Sequence, residues 1–175
     1  QALLQGLLPY RDFYNMKMPG TYFAFALIIK YLGHSAMAIR CATICINFAN
    51  AGLVYLIAKT RLSLAESTIA TSVYLLLSLT YEAQGWVSNS EHFVLLPALL
   101  GIYALSLFEE YTNYKQNVLL CLSGIALMSS FLTKQHAFGY LIFAGLWIGF
   151  FSLEKNKKWV SFQSLRLLMI RYCFF

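Results

Sequence analysis

Apolar runs of about the length of a membrane-spanning helix recur along the chain and limit what it can fold into. Five of these runs cover residues 36–58, 64–81, 93–108, 118–132 and 137–153. Hydrophobic residues make up 59% of the chain and charged residues 11%, whereas soluble domains have about 45–50% apolar and about 25% charged residues. A chain with so few polar residues cannot cover a water-facing surface, so the sequence predicts a membrane protein.

The spacing of the apolar residues distinguishes between the two architectures that cross a bilayer. Only helices and closed barrels satisfy their backbone hydrogen bonds there, and barrel strands alternate apolar and polar residues. The runs lack that alternation, so the predicted fold is all-α: a polytopic bundle with five transmembrane helices in residues 36–153, within a single transmembrane domain, 1–175. A further apolar segment, 160–175, is interrupted by Arg166 and Arg171 and is expected to be incomplete, as in a fragment of a longer protein.

Basic residues in the connecting loops predict which helix ends face the cytoplasm. One set of loops contains Lys59, Arg61, Lys115, Lys155, Lys157 and Lys158. The other set, residues 84–92 and 133–136, contains only Lys134. Because cytoplasmic loops are enriched in Lys and Arg, the second set is expected on the outer face, together with Glu91 and His136.

A shorter apolar run, residues 21–32, follows a polar segment at residues 9–19. As a helix this run would extend about 18 Å, which is too short for a hydrocarbon core of about 30 Å. Lys30 would also be costly in the middle of the bilayer. We therefore expect an outer loop, 1–19, and a juxtamembrane interfacial helix, 20–33, whose lysine reaches the headgroups of the outer surface.

Charged residues of the polar segment are candidates for chemistry at the membrane surface. Asp12, the only aspartate in the chain, either forms a local ion pair with Arg11 or accepts a proton from an incoming hydroxyl or amine. Lys17, with Arg11 nearby, either contacts lipid headgroups or binds a substrate phosphate. The sequence leaves both pairs of alternatives open.

Residues near the predicted outer ends of the helices have similar alternatives. Glu91 either caps a helix N-terminus, where the dipole favours negative charge, or acts as a catalytic carboxylate. Lys134, next to His136 in a very short loop, is either a snorkelling anchor or a phosphate contact in a cavity. Arg40 allows the same two interpretations.

Other residues of the apolar runs favour structural roles. Asn47 and Asn50 are expected to form interhelical hydrogen bonds. The four cysteines lack metal-ligand spacing and are expected to pack as small apolar residues. No metal site is predicted, although a divalent cation stays open as a cofactor. The net charge of +6 lies beside hydrophobic segments, which favours membrane lipids over nucleic acid as a partner.

Several short motifs occur in an order that resembles GT-C glycosyltransferases, in particular the family 39-like group of protein O-mannosyltransferases and the aminoarabinose transferase of lipid A. The motifs are GLLPYRDF at 6–13, KMPG at 17–20, LGHS at 32–35, AIR at 38–40, NSE at 89–91 and TKQ at 133–135. The resemblance extends over most of residues 1–153. This chain differs from the usual pattern in having Asn15 for an Asp and Met18 for a second Pro.

The resemblance implies transfer of a sugar from a polyprenyl-phosphate donor to a lipid, glycan or protein acceptor on the outer face of the cytoplasmic membrane. It implies that Lys17 and Lys134 contact the donor phosphate, where charge increases as the glycosidic bond breaks. An acidic side chain would assist the acceptor. The family's main catalytic acid belongs to an Asp-Glu pair expected upstream of Gln1, so the resemblance gives Asp12 a supporting role.

Two other classes of function remain open. A transporter or flippase for a lipid-linked or anionic substrate would use the outer basic groups as a binding vestibule without chemistry. Against it, the chain shows no obvious inverted repeat and few charges within the apolar runs. A purely structural membrane subunit would tolerate substitutions throughout residues 9–19.

Overall fold

The structure is a computed structural model that describes residues 2–12, 17–80, 89–111 and 113–155. Within these ranges the regular structure is entirely helical, which confirms the all-α prediction. The helices are α1 (Pro19–Leu32), α2 (Ala36–Lys59), α3 (Leu64–Ser78), α4 (Ser90–Phe108), α5 (Asn113–Thr133) and α6 (Phe138–Lys155). Short 3-10 turns cover Ala2–Gln5 and Gln135–Ala137. The segment predicted at residues 160–175 lies outside the described residues.

The chain separates into two compact units, Gln1–Leu141 and Ile142–Phe175. The first contains α1 to α5 and the beginning of α6, and all the candidate site residues fall within it. In the second unit, the rings of Phe143 and Trp147 lie 5.5 Å apart on the remainder of α6.

Local sequence signals explain where several helices begin and end. Pro19 occupies the first turn of α1, where its missing N–H costs nothing, and Gly33 ends that helix with a φ of 92°. The Ser35 side chain accepts a hydrogen bond from the Ala38 amide and caps α2. Ser63 and Glu66 form a reciprocal capping box at the start of α3.

Three helices in the described part of the chain are long and apolar enough to cross a membrane: Ala36–Lys59, Ser90–Phe108 and Tyr114–Thr133. The second predicted span is a shorter apolar helix of 15 residues, Leu64–Ser78, and its expected end at Tyr81 lies outside the described residues. The structure therefore supports a membrane protein with three candidate spans. The two further spans, on α3 and α6, stay predictions.

The distribution of side chains between the interior and the surface fits a lipid environment. Many buried residues are alanines, serines and threonines, whereas large apolar side chains such as Met37, Phe48 and Leu76 are more than 60% exposed. Soluble proteins rarely expose apolar surface on this scale. Small residues in the interior let membrane helices approach closely, and Gly101 of α4 illustrates this, since a Cβ there would lie 2.7 Å from Leu127 Cγ of α5.

Buried amides connect α2 to its two neighbours. Asn47 Nδ2 donates to Ser78 Oγ of α3 at 2.9 Å, and the Tyr74 hydroxyl donates to Asn47 Oδ1 at 2.9 Å. Asn50 Nδ2 donates to the backbone carbonyl of His92 in α4 at 3.2 Å. These bonds confirm that Asn47 and Asn50 form interhelical hydrogen bonds.

Helix α1 packs where α2 and α4 begin and α5 ends. Its first turn contacts the end of α5, because the Thr21 hydroxyl donates to the Thr133 carbonyl at 2.8 Å. Farther along, Phe25 contacts Phe93 near the start of α4, with ring centroids 5.0 Å apart, and Ile28 packs with Ala42 of α2. We call this part of the first unit the α1 end: α1 with residues 2–12, 17–18, 36–42, 90–94 and 130–137.

Candidate functional site

Three of the predicted site residues form one cluster at the α1 end. The Lys134 ammonium forms an ion pair with Glu91 Oε1, and His136 Nε2 lies 3.2 Å from Glu91 Oε2. The side chains of Glu91, Lys134 and His136 are 40%, 39% and 51% exposed. The cluster is therefore bound together internally but remains open to a ligand from solvent.

Antiparallel packing of α4 and α5 explains why these residues meet. Glu91 is the second residue of α4, and Lys134 follows directly after the last residue of α5. The two helix ends are held level by a hydrogen bond of 2.8 Å from the Ser130 hydroxyl to the Val94 carbonyl. Lys134 has an extended backbone, with φ of −158° and ψ of 140°, which ends the helix and begins the 3-10 turn that carries His136.

The close packing of α1 on α5 brings the polar segment towards this cluster. A Cβ at Gly20 would lie 2.7 Å from Thr133 Oγ1 and 2.8 Å from the Leu132 carbonyl oxygen. Only glycine permits this approach of the two backbones. Lys17 is exposed and precedes Gly20 by three residues. It therefore lies just before α1, at the same end of that helix as Lys134.

Tyr10 fixes the conformation of the preceding segment. Its backbone has a φ of 68°, the left-handed region that a residue with a Cβ adopts only at a cost. The Tyr10 hydroxyl donates to the Lys17 carbonyl, and its ring contacts the Tyr22 ring edge-on at a centroid distance of 6.2 Å. These contacts hold residues 10–12 against the start of α1.

Asp12 forms the local ion pair that the sequence offered as one of its two interpretations. Arg11 Nε and Nη2 donate to Asp12 Oδ1 and Oδ2 at 2.9 and 3.0 Å, and the Leu8 amide donates to Oδ2 at 2.8 Å. These bonds, the Arg11 bond most of all, lower the pKa of Asp12 below its ordinary value. A carboxylate held in this way is a weak proton acceptor, and within the described residues no hydrogen bond or ion pair joins it to Glu91.

The low pKa of Asp12 leads to a pH-dependent prediction. Because the folded pKa is depressed, the stabilisation from this ion pair is complete above the ordinary carboxyl pKa of 3.8 and is lost as the pH falls through the lower folded value. When aspartate is labelled with carbon-13, the carboxyl signal of Asp12 is identified by its loss in Asp12→Asn. We expect its NMR titration to have a midpoint below 3.8, and Arg11→Gln to move that midpoint upward. A wild-type midpoint at or above the ordinary value would contradict the bidentate pair.

The α1 end carries more basic than acidic side chains. Arg40 is exposed on the second turn of α2, and Lys30 lies 5.6 Å from the centroid of the Tyr31 ring. The described basic residues of this end are Arg11, Lys17, Lys30, Arg40 and Lys134, against the two carboxylates Asp12 and Glu91. No ion pair in the described part of the chain brings Arg40 into the Glu91 cluster. The surplus of positive charge attracts anions to this end.

An open apolar groove lies beside the polar segment. It has a volume of about 420 Å³ and runs between the first 3-10 turn and α1. Its lining includes Leu3, Leu7, Leu8, Pro19 and Phe23. The groove places an apolar surface next to Arg11 and Asp12, which suits a molecule with a hydrocarbon chain and a charged head.

Two features of this region were not anticipated from the sequence. His92 is only 5% exposed, and its Nε2 has no hydrogen-bond partner among the described residues. Gly20 is a close contact between α1 and α5. The only sequence feature that points to this glycine is its position directly after Pro19, at the start of the helix. The described residues contain no group of three His, Cys, Asp or Glu side chains that could hold a metal ion.

The cluster can bind an anion and can accept a proton. Lys134 and His136 offer two nitrogen donors from one short segment, and Glu91 offers a carboxylate at a helix N-terminus. Comparisons with protein-family models, with curated proteins and with solved structures gave no match to this chain.

Proposed function

We propose that the protein is a GT-C-like membrane glycosyltransferase that uses a polyprenyl-phosphate sugar as its donor. The acceptor is a lipid, a glycan or a protein, and the reaction takes place on the outer face of the cytoplasmic membrane. The main support for the proposal is the cluster of Glu91, Lys134 and His136. This cluster lies at the α1 end, where the first turn of α1 contacts the end of α5. The order of the sequence motifs supports the same conclusion.

The basic residues of the α1 end suit a phosphate leaving group. As the bond between the sugar and the phosphate breaks, negative charge develops on the phosphate oxygens. Lys134 immediately precedes the 3-10 turn that contains His136, and the two side chains can donate to two of these oxygens. Lys17, Arg11 and Arg40 add positive charge at the same end and draw the lipid phosphate towards the cluster.

The carboxylates have different roles in this proposal. Glu91 accepts a proton from the acceptor hydroxyl or amine as that group attacks the sugar carbon, and the polyprenyl phosphate leaves with its negative charge. Asp12 positions Arg11 through its bidentate pair and so has a supporting role. The apolar groove beside it offers a surface for part of the polyprenyl chain.

Helix α1 is proposed to lie at the outer membrane surface. Its 14 residues extend about 21 Å, less than the bilayer core of about 30 Å. It contacts the end of α5 and the start of α4 rather than running beside their full lengths. Lys30 and Tyr31 at its last turn form a pair typical of an interfacial anchor. This position places Lys17 and Lys134 on one side of the membrane.

A double-label transfer assay tests the function and separates it from transport. The complete protein is reconstituted into vesicles with a donor that carries one label in the sugar and another in the phosphate. For a transferase, the sugar label moves to the acceptor while the phosphate label stays on the polyprenol. A transporter or flippase would change the leaflet of both labels together, and that result, without transfer, would contradict the proposal.

A further inference from the structure

We propose that Glu91 and the donor phosphate compete for the same two nitrogen donors, the Lys134 ammonium and the His136 imidazole, so that donor binding releases the carboxylate for the acceptor. The inference rests on the proposed function and adds an order of events to it. Donor phosphate binds first, and Glu91 becomes available to the acceptor only afterwards.

The bonding pattern of Glu91 is the one that a phosphate group would adopt. Its two oxygens are divided between two donors: Oε1 pairs with the Lys134 ammonium, and Oε2 lies 3.2 Å from His136 Nε2. Both donors come from the three-residue stretch that follows α5. A phosphate diester also presents two oxygens that share one negative charge on one centre, and such oxygens form strong charge-assisted hydrogen bonds.

Exposure of the cluster makes this exchange feasible. The three side chains are 39–51% exposed, so a ligand can reach them without opening the helix bundle. Ion pairs with this degree of exposure contribute little to stability, and breaking one costs correspondingly little. A lipid phosphate arriving at the α1 end can therefore replace the Glu91 carboxylate at Lys134.

The displaced carboxylate keeps a favourable environment. Glu91 is in the first turn of α4, where the helix dipole stabilises negative charge. The side chain of the capping residue, Asn89, makes no hydrogen bond to the backbone N–H groups of this turn. Glu91 can thus turn from Lys134 and His136 to the acceptor without losing all stabilisation of its charge.

This exchange prevents the carboxylate from acting before the donor is in place. While Glu91 is paired with Lys134 and His136, both of its carboxylate oxygens are engaged and neither is free to contact an acceptor. When the phosphate takes over Lys134, the carboxylate loses that pairing and becomes free to contact the acceptor. No bond to the protein is formed in the exchange, which consists only of a change of ion-pair partners.

Equilibrium binding of a sugar-free polyprenyl phosphate to the complete protein in lipid nanodiscs tests the competition. Glu91→Gln removes the competing charge, so we expect its affinity for the lipid phosphate to rise about two- to fivefold. Glu91→Ala should show the same gain, and Glu91→Asp, which retains the charge, should bind nearly as the wild type does. Glu109→Gln is the matched control, because Glu109 forms an ion pair with Arg61 away from the α1 end and its loss should leave affinity unchanged.

The outcomes separate this inference from the proposed function. Equal or weaker binding by both Glu91→Gln and Glu91→Ala, with normal binding and transfer by the wild type, would overturn the competition and leave the transferase standing. Absence of binding by the wild type and by all variants would overturn the proposed function itself. Tighter binding by the two uncharged variants, combined with loss of transfer, is the result that the competition predicts.

Discussion

Replacing Lys134 by glutamine is expected to slow sugar transfer by about a hundredfold, the usual effect of removing one group that stabilises developing charge. Lys134 forms the ion pair with Glu91 and is the basic residue closest to the proposed proton acceptor. In the transition state its ammonium would offset the charge that builds on the leaving phosphate. The assay measures initial transfer rates from a polyprenyl-phosphate sugar at several donor concentrations, so that kcat and KM are obtained separately.

Lys115→Gln provides the control for this prediction. Lys115 is also exposed, and it lies at the start of α5 beside Tyr111, with its Nζ 5.4 Å from the ring centroid. Its loss removes the same charge from the other end of the helix and should leave kcat and KM near the wild-type values. Wild-type kinetics in Lys134→Gln would show that the leaving phosphate is stabilised elsewhere.

Gly20→Ala is expected to detach the beginning of α1 from α5. The new Cβ would lie 2.7 Å from Thr133 Oγ1, 2.8 Å from the Leu132 carbonyl oxygen and 2.9 Å from its carbon. Two of these three atoms belong to the backbone, so a side-chain rotation cannot remove the overlap. We expect the free energy of unfolding to fall by about 1–3 kcal/mol, as for other overpacked sites, and transfer to fall because Lys17 moves away from the cluster.

The matched control is Gly52→Ala in α2, where a Cβ meets no atom within 4 Å. Alanine favours a helix interior over glycine by about 0.5–1 kcal/mol, so this variant should unfold at the wild-type temperature or above it. Thermal unfolding in detergent compares the two variants, and limited proteolysis before Pro19 reports on α1. Similar unfolding temperatures for the two would contradict the tight contact between α1 and α5.

The sequence predicted the helices well because their apolar runs lack the alternation of β-strands. It also predicted the hydrogen-bonding role of Asn47 and Asn50, since buried amides in apolar helices need partners. The loop charges placed Glu91, Lys134 and His136 on one side, and the structure brings these three residues into contact. Whether that side is the outer face of the membrane stays a prediction.

Other features depend on tertiary packing and could not be derived from local patterns. For Asp12 the sequence left an ion pair and a catalytic role open, and only the geometry shows the bidentate bond from Arg11. The contact of Gly20 with the end of α5 joins residues more than one hundred positions apart. The pairing of Glu91 with Lys134 depends on the level at which α4 and α5 pack, which no spacing in the chain reveals.

Photo-crosslinking tests most directly the central claim that the lipid phosphate binds at the α1 end. A polyprenyl phosphate with a photoreactive group next to the phosphate is bound to the complete protein, irradiated, and the labelled peptides are identified by mass spectrometry. We predict labelling in residues 130–137 and 17–23, with a strong decrease in Lys134→Gln. Labelling confined to the opposite end, around Arg61 and Glu109, would contradict the account.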